Sequence, residues 1–207
     1  MKLFHIDGPL YKLMSALTDI FLLSMCWFIG SLFIVTAGIS TVALFDVTLR
    51  MVDNEEGYVV RQFIRAYKRN VKQGLALSVI TLVCLYVMFL YTQILHLLTE
   101  GSIMITIMAI LTGYLFLCSL LYAFALCARY ENTVPRILKN SARISVKYFG
   151  RTWLLLFLIA VEVMAFMWNR TLLFVGFLIG PASIAFTISL IAKDIFKKIE
   201  QDQKSGE

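Results

Sequence analysis

The sequence predicts an all-α, polytopic membrane protein, and three observations carry that reading. Of the 207 residues, 60% are hydrophobic and only 15% are charged, whereas a soluble domain carries about 25% charged residues. Mean hydropathy is +0.82. The apolar residues gather into runs of about 20, the length a helix needs to cross about 30 Å of hydrocarbon, and Lys and Arg gather between the runs. A soluble core of this size could not cover so much apolar surface. Backbone amides in hydrocarbon must bond within their own segment, so the runs are helices; none alternates as a barrel strand does.

In chain order, the first hydrophobic region covers 10–53. It is too long for one straight span and is interrupted at Ala37-Gly38. It reads either as one span with an apolar extension or as two helices, 10–35 and 39–52. Residues 55–73 follow as an amphipathic helix: Val59, Phe63, Tyr67 and Val71 recur at helical spacing, while Arg61, Arg65, Lys68, Arg69 and Lys72 take the other faces. Asn54, Glu55 and Glu56 supply a capped, acidic start. Spans are expected at 75–98 and 103–128. A second amphipathic helix covers 133–149, with Pro135 in its first turn, a basic stripe of Arg136, Lys139, Arg143 and Lys147, and apolar surface from Ile137, Leu138, Ile144 and Tyr148. Spans at 152–168 and 171–193 precede a tail at 194–207. The count is therefore five to six membrane segments and two interfacial helices, whose apolar faces are expected in the acyl boundary and whose cations are expected near anionic lipid.

Cations orient the segments, because Lys and Arg near span ends concentrate on the cytoplasmic side. Both basic segments are thereby cytoplasmic, with the C-terminal tail and its Lys193, Lys197, Lys198 and Lys204. The cation-free stretch from His96 to Ser102 and the turn at Asn169-Arg170 fall outside. Lys2 and Lys12 favour a cytoplasmic N-terminus and six segments; Asp46 and Arg50 in the short second segment keep five open. Asp7, Gly8 and Pro9 precede the first apolar run, and no cleavable signal peptide is expected.

The two basic segments also resemble each other. At an offset of 75 residues Glu56, Val59, Arg61, Val71 and Lys72 meet Glu131, Val134, Arg136, Val146 and Lys147, and Lys68 meets Arg143. Internal duplication and the shared composition of basic segments both account for this match.

Reactive constellations are sparse. Cys26, Cys84, Cys118 and Cys127 lie singly in apolar runs, without ligand spacing. His5 and His96 are the only histidines, so no metal cluster or Ser/His arrangement is visible, and neither phosphate-binding glycine pattern occurs. No enzyme activity, cofactor or metal is expected. The net charge of +6 sits beside spans, where topology and lipid account for it without nucleic acid. Ionisable groups inside spans cost several kcal/mol unless paired or hydrated, which singles out Asp19, Asp46, Arg50 and Glu162. Asp46 and Arg50 stand four apart, at ion-pair spacing. Glu162 needs a partner from another helix or a polar cavity. Gly176, Gly180 and Pro181 interrupt the last span, and a proline there bends a helix for packing or frees carbonyls for a solute. Trp27, Trp153, Trp168 and Tyr148 suit interface anchors.

Asp7-Gly8-Pro9-Leu10, then the run from Ile34 through Thr36, Gly38, Ser40 and Thr41 to Leu44, then Asp53-Asn54-Glu55-Glu56-Gly57-Tyr58 with Phe63 and the cations to Lys72, together resemble the YesL-like bacterial membrane proteins. The likeness covers about a third of the chain. Phe33, where the family often has proline, and Asp46, where it often has an aromatic, depart from the pattern. The resemblance implies a family of unknown biochemical function, common in Gram-positive bacteria and often encoded near carbohydrate uptake systems. It supplies no catalytic residue. The expected function is thus a non-enzymatic accessory or scaffold protein of the cell membrane, contacting a carbohydrate ABC importer or a sensor kinase, with no oligomeric state implied. Arg61, Arg65, Lys68, Arg69, Arg136, Lys139, Arg143 and Lys147 form its lipid or partner interface. A small-solute permease or channel using Glu162 and the Pro181 bend is the alternative, and Glu162, Asp46 and Arg50 are the candidate intramembrane polar site.

Overall fold

In hydrocarbon every backbone amide must find its partner inside the helix, and the chain folds accordingly. The structure is a computed structural model that describes residues 9–53, 55, 57–98, 103–130 and 132–204. Among these, eight α-helices and a single 3-10 turn carry the fold, with no strand. They are α1 (Pro9–Gly30), a 3-10 turn (Ile34–Thr36), α2 (Ala37–Val52), α3 (Val59–Arg69), α4 (Val71–Leu98), α5 (Ile103–Arg129), α6 (Val134–Lys147), α7 (Phe149–Met167) and α8 (Arg170–Lys204). Five stretches are long and apolar enough to cross a membrane: Ile34–Val52, Val71–Gln93, Leu111–Arg129, Phe149–Met167 and Arg170–Gln201. Met14–Gly30 adds a shorter apolar helix.

The first hydrophobic region is two helices, but its break falls earlier than the sequence suggested. α1 ends at Gly30 and the 3-10 turn runs straight into α2 at Ala37, so Gly38 lies inside a helix. Gly38 serves close packing instead. Its amide donates to Ser78 Oγ at 2.8 Å, and a Cβ on the facing Gly74 would sit 2.7 Å from Ile39 Cα. These glycines let α2 and α4 meet backbone to backbone. The stretch holding α2 is 61% buried by other helices, against 17% for that of α4 and 11% for α7. α2 is therefore walled in by protein, while α4 and α7 present their apolar surfaces to lipid.

The two basic helices depart from the expected interfacial placement. α3 doubles back along α2 and α6 doubles back along α5. One end of each pair is a short loop, and at the other end α4 or α7 begins beside the earlier helix: Ile39 lies against Gly74, and Tyr114 lies 6.2 Å from Phe149 and 5.7 Å from Trp153, ring to ring. The apolar stripes face protein, not acyl chains, because the helix in front supplies an apolar groove at the right spacing. Val59, Phe63 and Ala66 are buried on α3, and Ile137, Ser141, Ile144 and Ser145 on α6. Tyr67 is only half-buried, and Val71 belongs to α4 and is exposed. The cap at the start of α3 also differs: Tyr58 is the N-cap, no acidic residue stands in the first turn, and Glu55 instead binds Arg50. Asn54 and Glu56 lie outside the described residues. α6 begins as expected, with Pro135 in its first turn.

The 75-residue offset pairs contacts as well as letters. Ile39 with Gly74 corresponds to Tyr114 with Phe149. Val47 and Leu77 correspond to Tyr122 and Thr152, all four fully buried, and Tyr122 Oη lies 3.3 Å from Thr152 Oγ1. The two units are alike only in part: α3 and α6 each pack on the helix before them, but α2 lies closely against α4 while α5 makes little contact with α7. Glu131, one of the matched residues, lies outside the described set.

Where a separate tail was expected at 194–207, α8 continues unbroken to Lys204; its 35 residues extend about 50 Å at helical rise. That exceeds about 30 Å of hydrocarbon. Its last turns project beyond the membrane core, yet Ile195 and Phe196 there are fully buried, because they pack on the other helices at that end. α3, α6 and the adjoining ends of α2, α5 and α8 make a basic helical headpiece. Residues 205–207, the stretch 99–102 and the N-terminal 1–8, with Lys2, His5 and Asp7, lie outside the described residues, as do the side chains of Lys12 and His96.

Candidate functional site

Two features have the chemistry of a site: an apolar groove among the spanning helices and the basic surface of the headpiece. The groove follows from small residues on α8. Gly176 and Gly180 stand one turn apart on the same face, next to Pro181, and leave α8 without side chains where α1, α2, α5 and α7 approach it. About 990 Å³ of open space results. α8 passes through Pro181 without a break, and the amide of Ala182 donates to Ser24 Oγ on α1 at 3.3 Å. Phe28 stacks on Phe177 at 4.7 Å. Trp27, expected as an interface anchor, faces inward: its Nε1–H donates to Thr41 Oγ1 at 3.1 Å, and that hydroxyl donates to Ala37 O at 2.7 Å. Trp168, by contrast, is 87% exposed. Arg170 is the sole charged residue of the lining, and it makes no ion pair among the described residues.

Glu162 stays outside that lining. Its Oε2 accepts from Thr187 Oγ1 on α8 at 3.3 Å, the partner hydroxyl that its position in α7 called for. Its Oε1 is buried without a partner. Asp46 is 8% exposed and accepts from two arginines, Arg50 at 3.4 Å within α2 and Arg69 of α3 at 3.3 Å. The second contact was not legible, since nothing local to Arg69 names its partner. Asp46, Arg50 and Glu162 are therefore not one cluster: Asp46 links α2 to α3 through Arg69, Arg50 pairs with Asp46 and with Glu55 beyond α2, and Glu162 joins α7 to α8. Asp19 is half-buried on α1.

Further ion pairs bind the headpiece together. Lys193 Nζ lies 2.6 Å from Asp53 Oδ1 and donates to Val52 O at 2.8 Å. Arg129 meets Glu200 at 3.2 Å, and the Tyr130 hydroxyl donates to the same carboxylate at 2.6 Å. Burial, reinforced by that carboxylate, pushes the Tyr130 phenol up to about 12. Each of these links joins residues far apart in sequence, so only their charge, not their pairing, was visible beforehand.

The eight cations singled out in the sequence, Arg61, Arg65, Lys68, Arg69, Arg136, Lys139, Arg143 and Lys147, are all exposed. Arg69 turns to Asp46, and Lys147 lies 5.4 Å from the Tyr148 ring. Arg61, Arg65 and Lys68 flank a shallow recess with Tyr58, Val60 and Ile64. The acidic residues Asp46, Asp53, Glu55 and Glu200 enter internal pairs, and α3 and α6 carry no acid of their own, so their outward faces are basic. The four cysteines are free thiols, and Cys127 lies 3.7 Å from Gln73 Oε1. Among the described residues no three His, Cys, Asp or Glu side chains gather as a metal site.

A family profile described as "Protein of unknown function, DUF624" matches residues 20–92. That stretch holds α2, α3, the Gly38–Gly74 contact and the Asp46 ion pairs. No curated protein and no solved structure matches the chain.

Proposed function

We propose that the protein is a YesL-like, non-enzymatic accessory protein of the cell membrane that docks another membrane component through its basic headpiece. The observation behind this reading is the division of charge there. Internal pairs take up Asp46, Asp53, Glu55 and Glu200, while Arg61, Arg65, Lys68, Arg136, Lys139 and Arg143 stand outward with no ion pair among the described residues. A rigid basic face of this kind suits an acidic partner surface, where complementary charge speeds and orients encounter. Cation placement supports a cytoplasmic headpiece and C-terminus, and the resemblance makes a carbohydrate importer or a sensor kinase the partner to test first.

Purification in mild detergent is the direct experiment. The parent protein is expected to bring its partner, and the triple reversal Arg61→Glu, Arg65→Glu, Lys68→Glu is expected to lose it. Recovery of the parent alone, with unchanged sugar uptake in a deletion strain, overturns the reading. A second reading rests on Glu162, whose free Oε1 inside a span is the kind of group a solute or proton path uses. Solute flux in proteoliposomes that disappears in Glu162→Gln would establish it, and absence of flux from the parent eliminates it.

A further inference from the structure

We propose that the groove along α8 holds an acyl chain of an anionic phospholipid, with the headgroup at Arg170. The walls are hydrocarbon and aromatic: Phe28, Phe45, Phe124, Phe166 and Phe177 contribute rings, and the Thr41 hydroxyl has already spent its hydrogen bonds on Trp27 and Ala37. A polar solute would find nothing there to replace its hydration, whereas an acyl chain loses nothing by entering. The groove opens sideways into lipid: Met167, Phe174 and Phe177 on its rim are 68%, 65% and 62% exposed. Its 990 Å³ lies at the upper end of ordinary ligand sites, about 300–1,000 Å³.

Arg170 selects the headgroup. It begins α8 at the α7–α8 turn, where a spanning helix meets the interface, and has no carboxylate partner among the described residues. A guanidinium in that position pairs with lipid phosphate in a forked geometry, and a net negative headgroup adds attraction. The bound lipid therefore belongs to the leaflet away from the headpiece, its chain running from Arg170 past Gly180 toward Ile188.

The glycines provide the test. A Cβ on Gly180 meets nothing nearer than Phe166 Cε2 at 3.8 Å, and Gly180 lines the groove, so the side chain of Gly180→Leu has room to start there and occupies groove space. The protein is reconstituted in phosphatidylcholine vesicles doped with phosphatidylglycerol or phosphatidylcholine carrying a photoreactive acyl terminus, and cross-linked peptides are mapped. The glycerol probe is expected to label the α8 groove about fivefold more than the choline probe, from one cation at the surface. Gly180→Leu should remove that labelling while keeping the parent's thermal midpoint, and Arg170→Gln should erase the headgroup preference but leave chain labelling. Labelling at the groove no stronger than at Val83 and Val87 on the lipid face of α4 overturns the proposal. So does unchanged labelling in Gly180→Leu.

Discussion

Gly74 shows how little room separates α2 from α4. A methyl group there would press on the backbone of Ile39, not on a side chain that can turn away, and overpacking of that sort costs about 1–3 kcal/mol. Gly74→Val is expected to lower the unfolding midpoint in detergent, while Gly150→Ala, with nothing within 4 Å, leaves it unchanged. Asp53 makes a second prediction at the same scale. Its carboxyl lies below the ordinary 3.8 chiefly because Lys193 donates to it, with burial opposing and the charges of Lys193, Arg129 and Lys197 assisting. A lowered folded-state value means the carboxylate supports the fold at every pH above the unfolded value, and that support is lost as pH falls through the folded value. Thermal midpoints followed downward from pH 5 are thus expected to drop below pH 3.8 in the parent, with a shallower drop in Asp53→Asn.

Among the elements, the spanning helices α4, α5, α7 and α8 were legible because hydrocarbon imposes one composition on everything it solvates. The two amphipathic helices were legible as helices for a related reason: Val59 and Phe63 stand one turn apart among cations. What they pack against was not, since an apolar stripe looks the same whether it meets lipid or protein. Ala66, which carries no strong hydropathy signal, proves fully enclosed, and Val71 proves exposed. Single cysteines in a background without native thiols distinguish the two environments. Arg65→Cys should react rapidly with a membrane-impermeant maleimide in inside-out vesicles, and Ala66→Cys should stay protected even after detergent removes the lipid. Rapid labelling of both in detergent would place α3 off the protein.

For the whole molecule, length and hydropathy bounded the membrane segments at five to six but left open who touches whom. Thr48 and Ser189 share a buried 2.7 Å hydrogen bond across 141 positions, and Lys193 reaches Asp53 over a similar distance in sequence; neither pairing leaves a local trace. The apolar groove was also out of reach, because Gly176, Gly180 and Pro181 read equally well as a packing bend. The enclosure of α2 carries a consequence for biogenesis. A short helix bearing Asp46 and Arg50 is a weak candidate for retention by the translocon, and its partner Ser189 on α8 is synthesised 141 positions after Thr48. Nascent chains must therefore remain unfinished until α8 emerges, and truncation after Trp168 is expected to yield a product cleared by membrane proteases, visible as a short half-life in pulse-chase labelling beside the durable untruncated chain.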